Sequence, residues 1–338
     1  ILSRGLGDVY KRQVVNPSEP IRRIIAAGTP VVYVETWEEE RLQGMLTTAS
    51  QMLFEDDRPV WEWSAAMGFS NGPGKDLKLY DPVDAVSFLI HQETEVICLM
   101  KDLPVHFENN LALVRAVRDL YDAISKRRGS VVMSHPWNVL PAQLSKEVFL
   151  HELALPDSTE LLALLHSMSA EHGSEELMSE DLLERMAAGM HGLSLNEARD
   201  LFRKILSEST VDVDAVLTEI NMAKAQLLMK ENCLEVVTKK FDIDHIGGLD
   251  KLKAWVTSRK QLFSKEAQDA NIKTPAGILL MGVSGCGKSL AAKTIPTVWN
   301  LPCIRLDMNK IMSGGWGSPE VAWERAIRAA ENAAPVVL

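Results

Sequence analysis

A chain of 338 residues, 46% hydrophobic and 24% charged, is long enough for about two globular domains with buried cores. Its formal net charge of −10 argues against a general nucleic-acid or anionic-membrane surface, because both of these ligands are polyanions. No apolar run approaches the roughly 20 residues that a membrane-spanning helix needs.

The spacing of the cysteines and histidines argues against two further kinds of structural site. The four cysteines are scattered without C-x-x-C spacing, and the histidines show no ligand spacing. These patterns predict neither a zinc site nor a disulfide framework. They favour a reducing, cytosol-like compartment.

Both ends of the chain look atypical. Residues 1–13 (ILSRGLGDVYKRQ) lack an initiating Met and the pattern of a signal peptide, and they resemble a translated sequencing-adapter scar. Residues 335–338 have the character of a strand that has only begun. We therefore expect a fragment that is open at both ends, with residues 1–13 excluded from fold reasoning.

Residues 14–157 predict a first α/β unit. Apolar, β-branched runs predict strands near 30–34, 60–63, 96–99 and 130–133. Helical spacing follows the first strand as far as residue 53 and covers 109–126. Strands that alternate with helices favour a largely parallel sheet.

Two features of this unit superficially resemble ATPase motifs. Residues 68–75 (GFSNGPGK) differ from a phosphate loop by one extra residue, by Asp76 in place of Ser or Thr, and by Pro73, which has no N–H to donate. We interpret them as a surface turn. Asp102 ends a strand, but Leu103 follows where a catalytic Glu is required, so Asp102 is predicted to be a solvated strand-end residue. This half is expected to have no ATPase chemistry of its own.

Residues 158–235 predict a small helical region. Apolar stripes at helical spacing occur in three stretches, and such stripes are typical of a helical core. The stripes comprise Leu161, Leu164, Leu165 and Met168; Ala198, Leu201, Phe202 and Ile205; and Val213, Val216, Leu217 and Ile220.

The strongest motif lies in residues 277–289, GILLMGVSGCGKS. The apolar run 278–281 is typical of a buried strand, and 282–289 has the G-x-x-x-x-G-K-S pattern of a phosphate-binding loop, the Walker A motif. A helix is expected to begin here and continue to Trp299, so that its N-terminal dipole adds to the anion site.

Each residue type in the loop has a role in binding a triphosphate. Glycines at 282, 285 and 287 clear space for phosphate oxygens against backbone N–H groups. Lys288 supplies a positive charge to the β- and γ-phosphates, and the Ser289 hydroxyl is a natural Mg²⁺ ligand. The predicted ATP-binding loop positions are Ser284, Gly285, Cys286, Gly287, Lys288 and Ser289.

The residues before the loop carry a family resemblance. Residues 241–249 (FDIDHIGGL), here called the lead-in segment, together with Lys251 and Lys253, resemble the start of the ATPase module in the AAA family. Residues 274–280 resemble the strand before that family's phosphate loop. Residues 14–338 as a whole resemble the bacterial and plastid AAA proteins known as hypothetical chloroplast open reading frames.

This resemblance implies a fold and a domain order. We expect an α/β protein with two RecA/AAA-like parallel-sheet units separated by a helical lid. The expected domains are a degenerate ATPase-like unit without a phosphate loop at 14–157, a lid-like region at 158–235, and an AAA large subdomain at 236–338. The last domain is expected to be truncated before the Asp-Glu acids of the family, which would lie beyond Leu338.

The resemblance also implies an activity and partners. Ile246 and Gly247 would hold the adenine base, and Trp316 matches the aromatic residue that AAA hexamers point into their central pore. An alternative for Trp316 is an aromatic residue packed under a loop. The intact parent would hydrolyse ATP with Mg²⁺, form a ring of identical subunits and remodel a protein partner, in the bacterial cytosol or the plastid stroma. This fragment is expected to bind ATP but to turn it over negligibly.

Two alternatives of other classes remain open. One is a regulatory or scaffold protein in which ATP only switches conformation. The other is a nucleic-acid-acting AAA loader or helicase subunit, against which stand the acidic balance and the lack of a basic segment with interleaved aromatics. A small-molecule kinase with the same loop is less favoured, because the lead-in segment precedes the loop as it does in AAA proteins.

Overall fold

The computed structural model describes residues 18–54, 59–173, 178–207, 216, 219–220, 222–224, 233–237, 241–243, 246–263, 272, 275–299, 301–313, 319–334 and 336–338. The chain divides into two compact units, the first formed by 1–157 with 194–196 and the second by 158–193 with 197–338. The predicted scar at 1–13 and Trp316 lie outside the described residues.

The first unit alternates strands and helices along the chain. Its elements are α1 (Ser18–Ala26), β1 (Val31–Glu35), α2 (Glu39–Leu53), β2 (Trp61–Ser64), β3 (Gly68–Phe69), α3 (Pro82–Ile90), β4 (Val96–Lys101), α4 (Leu111–Ser125), β5 (Gly129–His135) and β6 (Phe149–Glu152). Short 3₁₀ turns cover Leu103–Phe107 and Ala142–Leu144. The four strands predicted from the sequence all form, and the predicted α/β class is confirmed.

The sheet of the first unit has six strands in the order β3-β2-β4-β5-β1-β6. All neighbours pair in parallel except β2 and β3, which are antiparallel. β1 has β5 on one side and β6 on the other, so the chain leaves β1 towards β2 on one side and later crosses from β5 to β6 on the other side. In open parallel sheets, ligands bind outside the carboxyl ends of the strands where the connections diverge to opposite sides.

Helices cover both faces of this sheet. Successive side chains of β1 point to opposite faces, so Val32 and Val34 pack against Leu42 and Leu46 of α2, whereas Tyr33 belongs to the core on the other face. That second core also contains buried residues of α3 and α4. Coverage on both faces explains why the strands are continuous apolar runs rather than alternating ones.

The segment that we interpreted as a surface turn is partly a buried strand. Gly68 and Phe69 form the antiparallel edge strand β3 and are buried, and Gly74 is also buried. A side chain at Gly74 would meet the Phe69 ring at 2.7 Å. The glycine therefore serves close packing on an aromatic residue, a requirement that depends on the folded environment and not on the local pattern.

The second unit contains mostly helices in the part that the structure describes. Its elements are α5 (Ser158–Glu171), α6 (Glu180–Met190), α7 (Leu195–Leu206, of which 195–196 are grouped with the first unit), β7 (Leu234–Val236), α8 (Asp250–Ser258), α9 (Lys288–Trp299), β8 (Ile304–Leu306), α10 (Met308–Met312) and α11 (Pro319–Asn332). Helices thus form over two of the stripes predicted for the helical region, and α9 begins at the phosphate loop as expected.

The strand predicted at 278–281 does not form. These residues have no regular secondary structure, and Leu279 and Met281 are 83% and 81% exposed. A strand needs backbone partners, and β8, the nearest strand along the chain, has both edges occupied. β7 pairs with it antiparallel on one side, and the Ile304 N–H donates to the Val337 carbonyl on the other at 2.9 Å.

Candidate functional site

The phosphate loop is an exposed turn directly before α9. Gly285 and Gly287 have φ angles of 83° and 87°, in the left-handed region that glycine adopts without strain. A Cβ atom at either position would meet no atom within 4 Å, so the two glycines are required by the backbone conformation. The Ala291 N–H donates to the Gly287 carbonyl at 3.0 Å, which starts the helical ladder immediately after the loop.

Lys288 folds back over its own loop. Its Nζ donates hydrogen bonds to the carbonyl oxygens of Gly282 at 2.9 Å and Val283 at 2.7 Å, and it lies 3.7 Å from the Cys286 sulfur. The ammonium group is therefore held within the turn that the motif assigns to phosphates. Phosphate oxygens are better partners for it than neutral carbonyls, because they add the attraction of an opposite charge to the hydrogen bond.

The chemistry of the loop fits a magnesium nucleotide. Ser289, the second residue of α9, is exposed, so its hydroxyl is accessible to a metal ion. Among the described residues, no group of three or more His, Cys, Asp or Glu side chains could hold a metal. Mg²⁺ commonly takes one or two protein oxygens and completes its shell with phosphate oxygens and water, which is what this site offers.

The lead-in segment lies against the helix that follows the loop. Ile246 is buried, and Gly247 is exposed with no atom within 4 Å of a Cβ position. A narrow pocket of about 10 Å³ runs between the two segments. It is lined by Ile243, Ile246, Leu249, Leu252, Lys253 and Val256 on one wall and by Ala291, Thr294, Ile295 and Val298 of α9 on the other. The Thr294 hydroxyl donates to the Leu290 carbonyl at 2.9 Å, which leaves apolar surface to dominate the pocket.

Two further contacts join these walls at the far end of α9. The Trp299 Nε1–H donates to the Val256 carbonyl at 2.9 Å in a buried position. The Phe241 N–H donates to the Thr297 hydroxyl at 3.4 Å. Sequence reasoning missed both contacts, because a single Trp or Thr in a helix has no pattern that identifies its partner 43 or 56 residues away.

The carboxyl edge of the first unit's sheet has different chemistry. The turn after β1 carries Glu38 and Glu39, and the Ser134 hydroxyl donates to Glu39 Oε1 at 2.8 Å. Burial raises the pKa of Glu39. Asp102, predicted to be solvated, has a side chain that is 60% exposed and accepts a hydrogen bond from His135 Nδ1 at 2.8 Å. Carboxylates in place of a glycine turn would repel phosphates.

Two ranges of the chain, one in each half, match models of known protein families. Residues 17–153 match the model of the SpoVK-like AAA ATPase N-terminal domain. Residues 278–338 match the model of the ATPase family associated with various cellular activities (AAA). This range includes the apolar run 278–281 and the whole G-x-x-x-x-G-K-S motif. The chain belongs to the AAA family. The resemblance inferred from the lead-in segment and the loop is thereby confirmed.

Similar AAA proteins align along most of the chain. The AAA domain-containing protein ycf46 of Guillardia theta is 30% identical over 319 residues, which cover 93% of this chain and 62% of that protein. The ycf46 protein of Gracilaria tenuistipitata var. liui is 27% identical over 321 residues, covering 94% of this chain and 65% of that protein. The chain therefore spans a little under two thirds of the length of these relatives.

Among solved structures, C. elegans PCH-2 aligns with a TM-score of 0.44 and 13% identity, over 64% of this chain and 70% of that chain. Within the ranges that the structure describes, no helix is both long and apolar enough to cross a membrane.

Proposed function

We propose that this AAA-family chain binds ATP with Mg²⁺ at residues 246–247 and 284–289. The observation that carries the proposal is that one helix serves both ends of the nucleotide. α9 begins at the phosphate loop, and Ala291, three residues after Lys288, already lines the apolar pocket next to Ile246. A triphosphate at the loop would thus place its base toward the lead-in segment.

Each residue has a defined part in this proposal. The N–H groups of Ser284, Gly285, Cys286 and Gly287 cradle the phosphates, and Lys288 exchanges its carbonyl partners for phosphate oxygens. Ser289 supplies a hydroxyl ligand to Mg²⁺, which neutralises phosphate charge when bound. Ile246 packs on the base, and the Gly247 backbone approaches it without a side chain in the way.

Hydrolysis is proposed for the parent protein rather than for this chain. Phosphoryl transfer relies on positioned groups that stabilise charge and orient the attacking water. The 338 residues contain no Asp-Glu dipeptide, the pair that the AAA resemblance requires at a strand end. We therefore propose that the purified chain binds ATP and hydrolyses it at a negligible rate.

The parent is proposed to act as a ring of identical subunits that remodels a protein partner in the bacterial cytosol or plastid stroma. Support comes from the AAA family assignment and from the ycf46 relatives. A net charge of −10 disfavours nucleic acid as the partner. Trp316 is the residue proposed to contact the translocating protein in the pore.

Nucleotide binding is tested by isothermal titration of the chain with ATP in excess Mg²⁺. Lys288→Met removes the ammonium group and is expected to weaken binding at least tenfold, because a hydrogen bond to a charged group contributes about 1.5–3 kcal/mol. Lys126→Met, at the C-cap of α4 in the first unit, is the matched control and should leave the affinity unchanged. Equal affinity of the Lys288 variant and the wild type would contradict the proposed site.

A further inference from the structure

The two walls of the apolar pocket come from parts of the chain that are distant in sequence. One wall is formed by Ile243 and by residues within 246–256, and the other by residues 291–298 of α9. Residues 264–271 and 273–274 between them lie outside the described residues, and direct contacts between the two walls fix their spacing in the described part of the chain. The described contacts concentrate on one residue, Trp299.

Trp299 is the last residue of α9 and is 8% exposed. Its indole N–H donates to the Val256 carbonyl at 2.9 Å, and its ring lies 6.3 Å from the Trp255 ring. Val256 stands in the last turn of α8, where carbonyls have no partner in the helical ladder. Trp299 thus supplies a second donor to a buried helix end, beside the Arg259 N–H that donates to the same carbonyl.

Val256 connects this contact to the pocket directly. It is 1% exposed, lines the pocket, and forms a small core with Ile295 and Trp299. Ile295 lines the opposite wall. Any shift of Val256 away from Trp299 would therefore change the distance between the two walls, whereas no residue of the glycine turn at 282–287 belongs to this core.

A second anchor holds the other end of the lead-in segment. The Phe241 N–H donates to the Thr297 hydroxyl at 3.4 Å, and the Lys293 ammonium lies 5.8 Å from the centre of the Phe241 ring. Thr297 and Lys293 both lie on α9, as does Trp299. The segment between Phe241 and Val256 is thus attached to the same helix at both of its ends.

We infer that Trp299, with Thr297, is a positioning residue that sets the width of the base pocket and so determines how much the nucleoside part of ATP contributes to binding. The inference rests on the proposed ATP site and deepens it. It assigns affinity for the base to the far end of α9, three helical turns from Lys288. The phosphate loop at the near end is independent of these contacts.

The test compares two ligands on one protein. ATP uses both the pocket and the loop, whereas inorganic tripolyphosphate uses the loop alone. Titration calorimetry with each ligand in excess Mg²⁺ is performed on the wild type and on Trp299→Phe, which keeps an aromatic ring but removes the N–H donor and part of the buried ring volume. We expect Trp299→Phe to weaken ATP binding roughly threefold to tenfold, the range of a single buried hydrogen bond, and to leave tripolyphosphate binding unchanged.

One control variant and one second test variant complete the design. Trp323→Phe changes a 44% exposed Trp on α11 outside this pocket and should alter neither affinity. Thr297→Val removes the other anchor by an isosteric change, so it should reproduce the selective loss of ATP affinity even if Trp299→Phe does not fold.

The outcomes separate the inference from the proposed function. A wild type that binds neither ligand overturns the proposed function and the inference with it. If the wild type binds both ligands, two results would overturn the positioning role alone. The variants could lose ATP and tripolyphosphate affinity equally, or they could keep both affinities. A selective loss of ATP affinity in both variants supports it.

Discussion

At the scale of single residues, the first unit contains a buried ion pair next to β1. Glu38 and Arg41 have side chains that are 5% and 4% exposed, and their closest oxygen and nitrogen are 2.7 Å apart. The other Glu38 oxygen accepts the Leu195 N–H at 2.6 Å, and Arg41 donates to the Ala154 carbonyl at 2.7 Å. These bonds give each charge several partners, which a buried ion pair requires in order to be tolerated.

Arg41→Met is therefore expected to destabilise the first unit by about 3 kcal/mol, because it leaves the Glu38 carboxylate buried without a cation. Urea unfolding followed by circular dichroism measures the loss. Arg115→Met is the matched control, since Arg115 pairs with Asp119 on the exposed surface of α4 and should give no measurable change. Equal stability of both variants would show that the buried pair is not a structural requirement.

At the scale of elements, two glycines in the first unit have opposite roles. Gly129 begins β5 beside β4, and a Cβ atom there would lie 2.6 Å from the Val96 carbonyl oxygen. Gly44 lies on the exposed face of α2, where a Cβ atom would meet no other atom within 4 Å. The first glycine is needed for close approach of two strands, whereas the second only adds backbone freedom to the unfolded chain.

Replacing each glycine by alanine should change the free energy of unfolding in opposite directions. Gly129→Ala is expected to cost about 1–3 kcal/mol, because the backbone of β4 must move to accept the methyl group. Gly44→Ala is expected to stabilise by about 0.5–1 kcal/mol, the helix preference of alanine over glycine. Thermal unfolding monitored by circular dichroism distinguishes the two effects, and a stabilised Gly129 variant would contradict the strand geometry.

At the scale of the whole molecule, the two compact units carry different chemistry. The first has a complete six-stranded sheet whose carboxyl edge presents Glu39, Asp102 and their partners. The second carries the phosphate loop on α9. We expect nucleotide chemistry to be confined to the second unit, and the proposed motor function to depend on assembly into a ring.

Trp316→Ala in the full-length parent separates a remodelling motor from a nucleotide-gated scaffold. A motor that grips its substrate through this aromatic residue should lose substrate unfolding and keep its basal ATPase rate. The two rates are measured in parallel with an unfolding reporter protein and with phosphate release. Retention of unfolding by the variant would contradict the pore role and favour packing of the residue within its own loop.

The sequence by itself determined the features that depend on local pattern. The strands at 31–35, 61–64, 96–101 and 129–135 follow from short β-branched runs between helical periods, and their alternation with helices predicted a parallel sheet. The phosphate loop and the start of α9 follow from adjacent residues, since glycine spacing and the Lys-Ser pair are read without knowledge of the fold. The family resemblance depended on the same short motifs.

Only the tertiary structure decided which distant residues meet. The pairing of β7 with β8 joins residues about 70 positions apart and, together with Val337, leaves residues 278–281 exposed with no place at its edges. The contact from Trp299 to Val256 is likewise invisible in a local pattern. A strand needs backbone partners and a buried indole needs an acceptor, and both are supplied by the fold rather than by neighbouring residues in the chain.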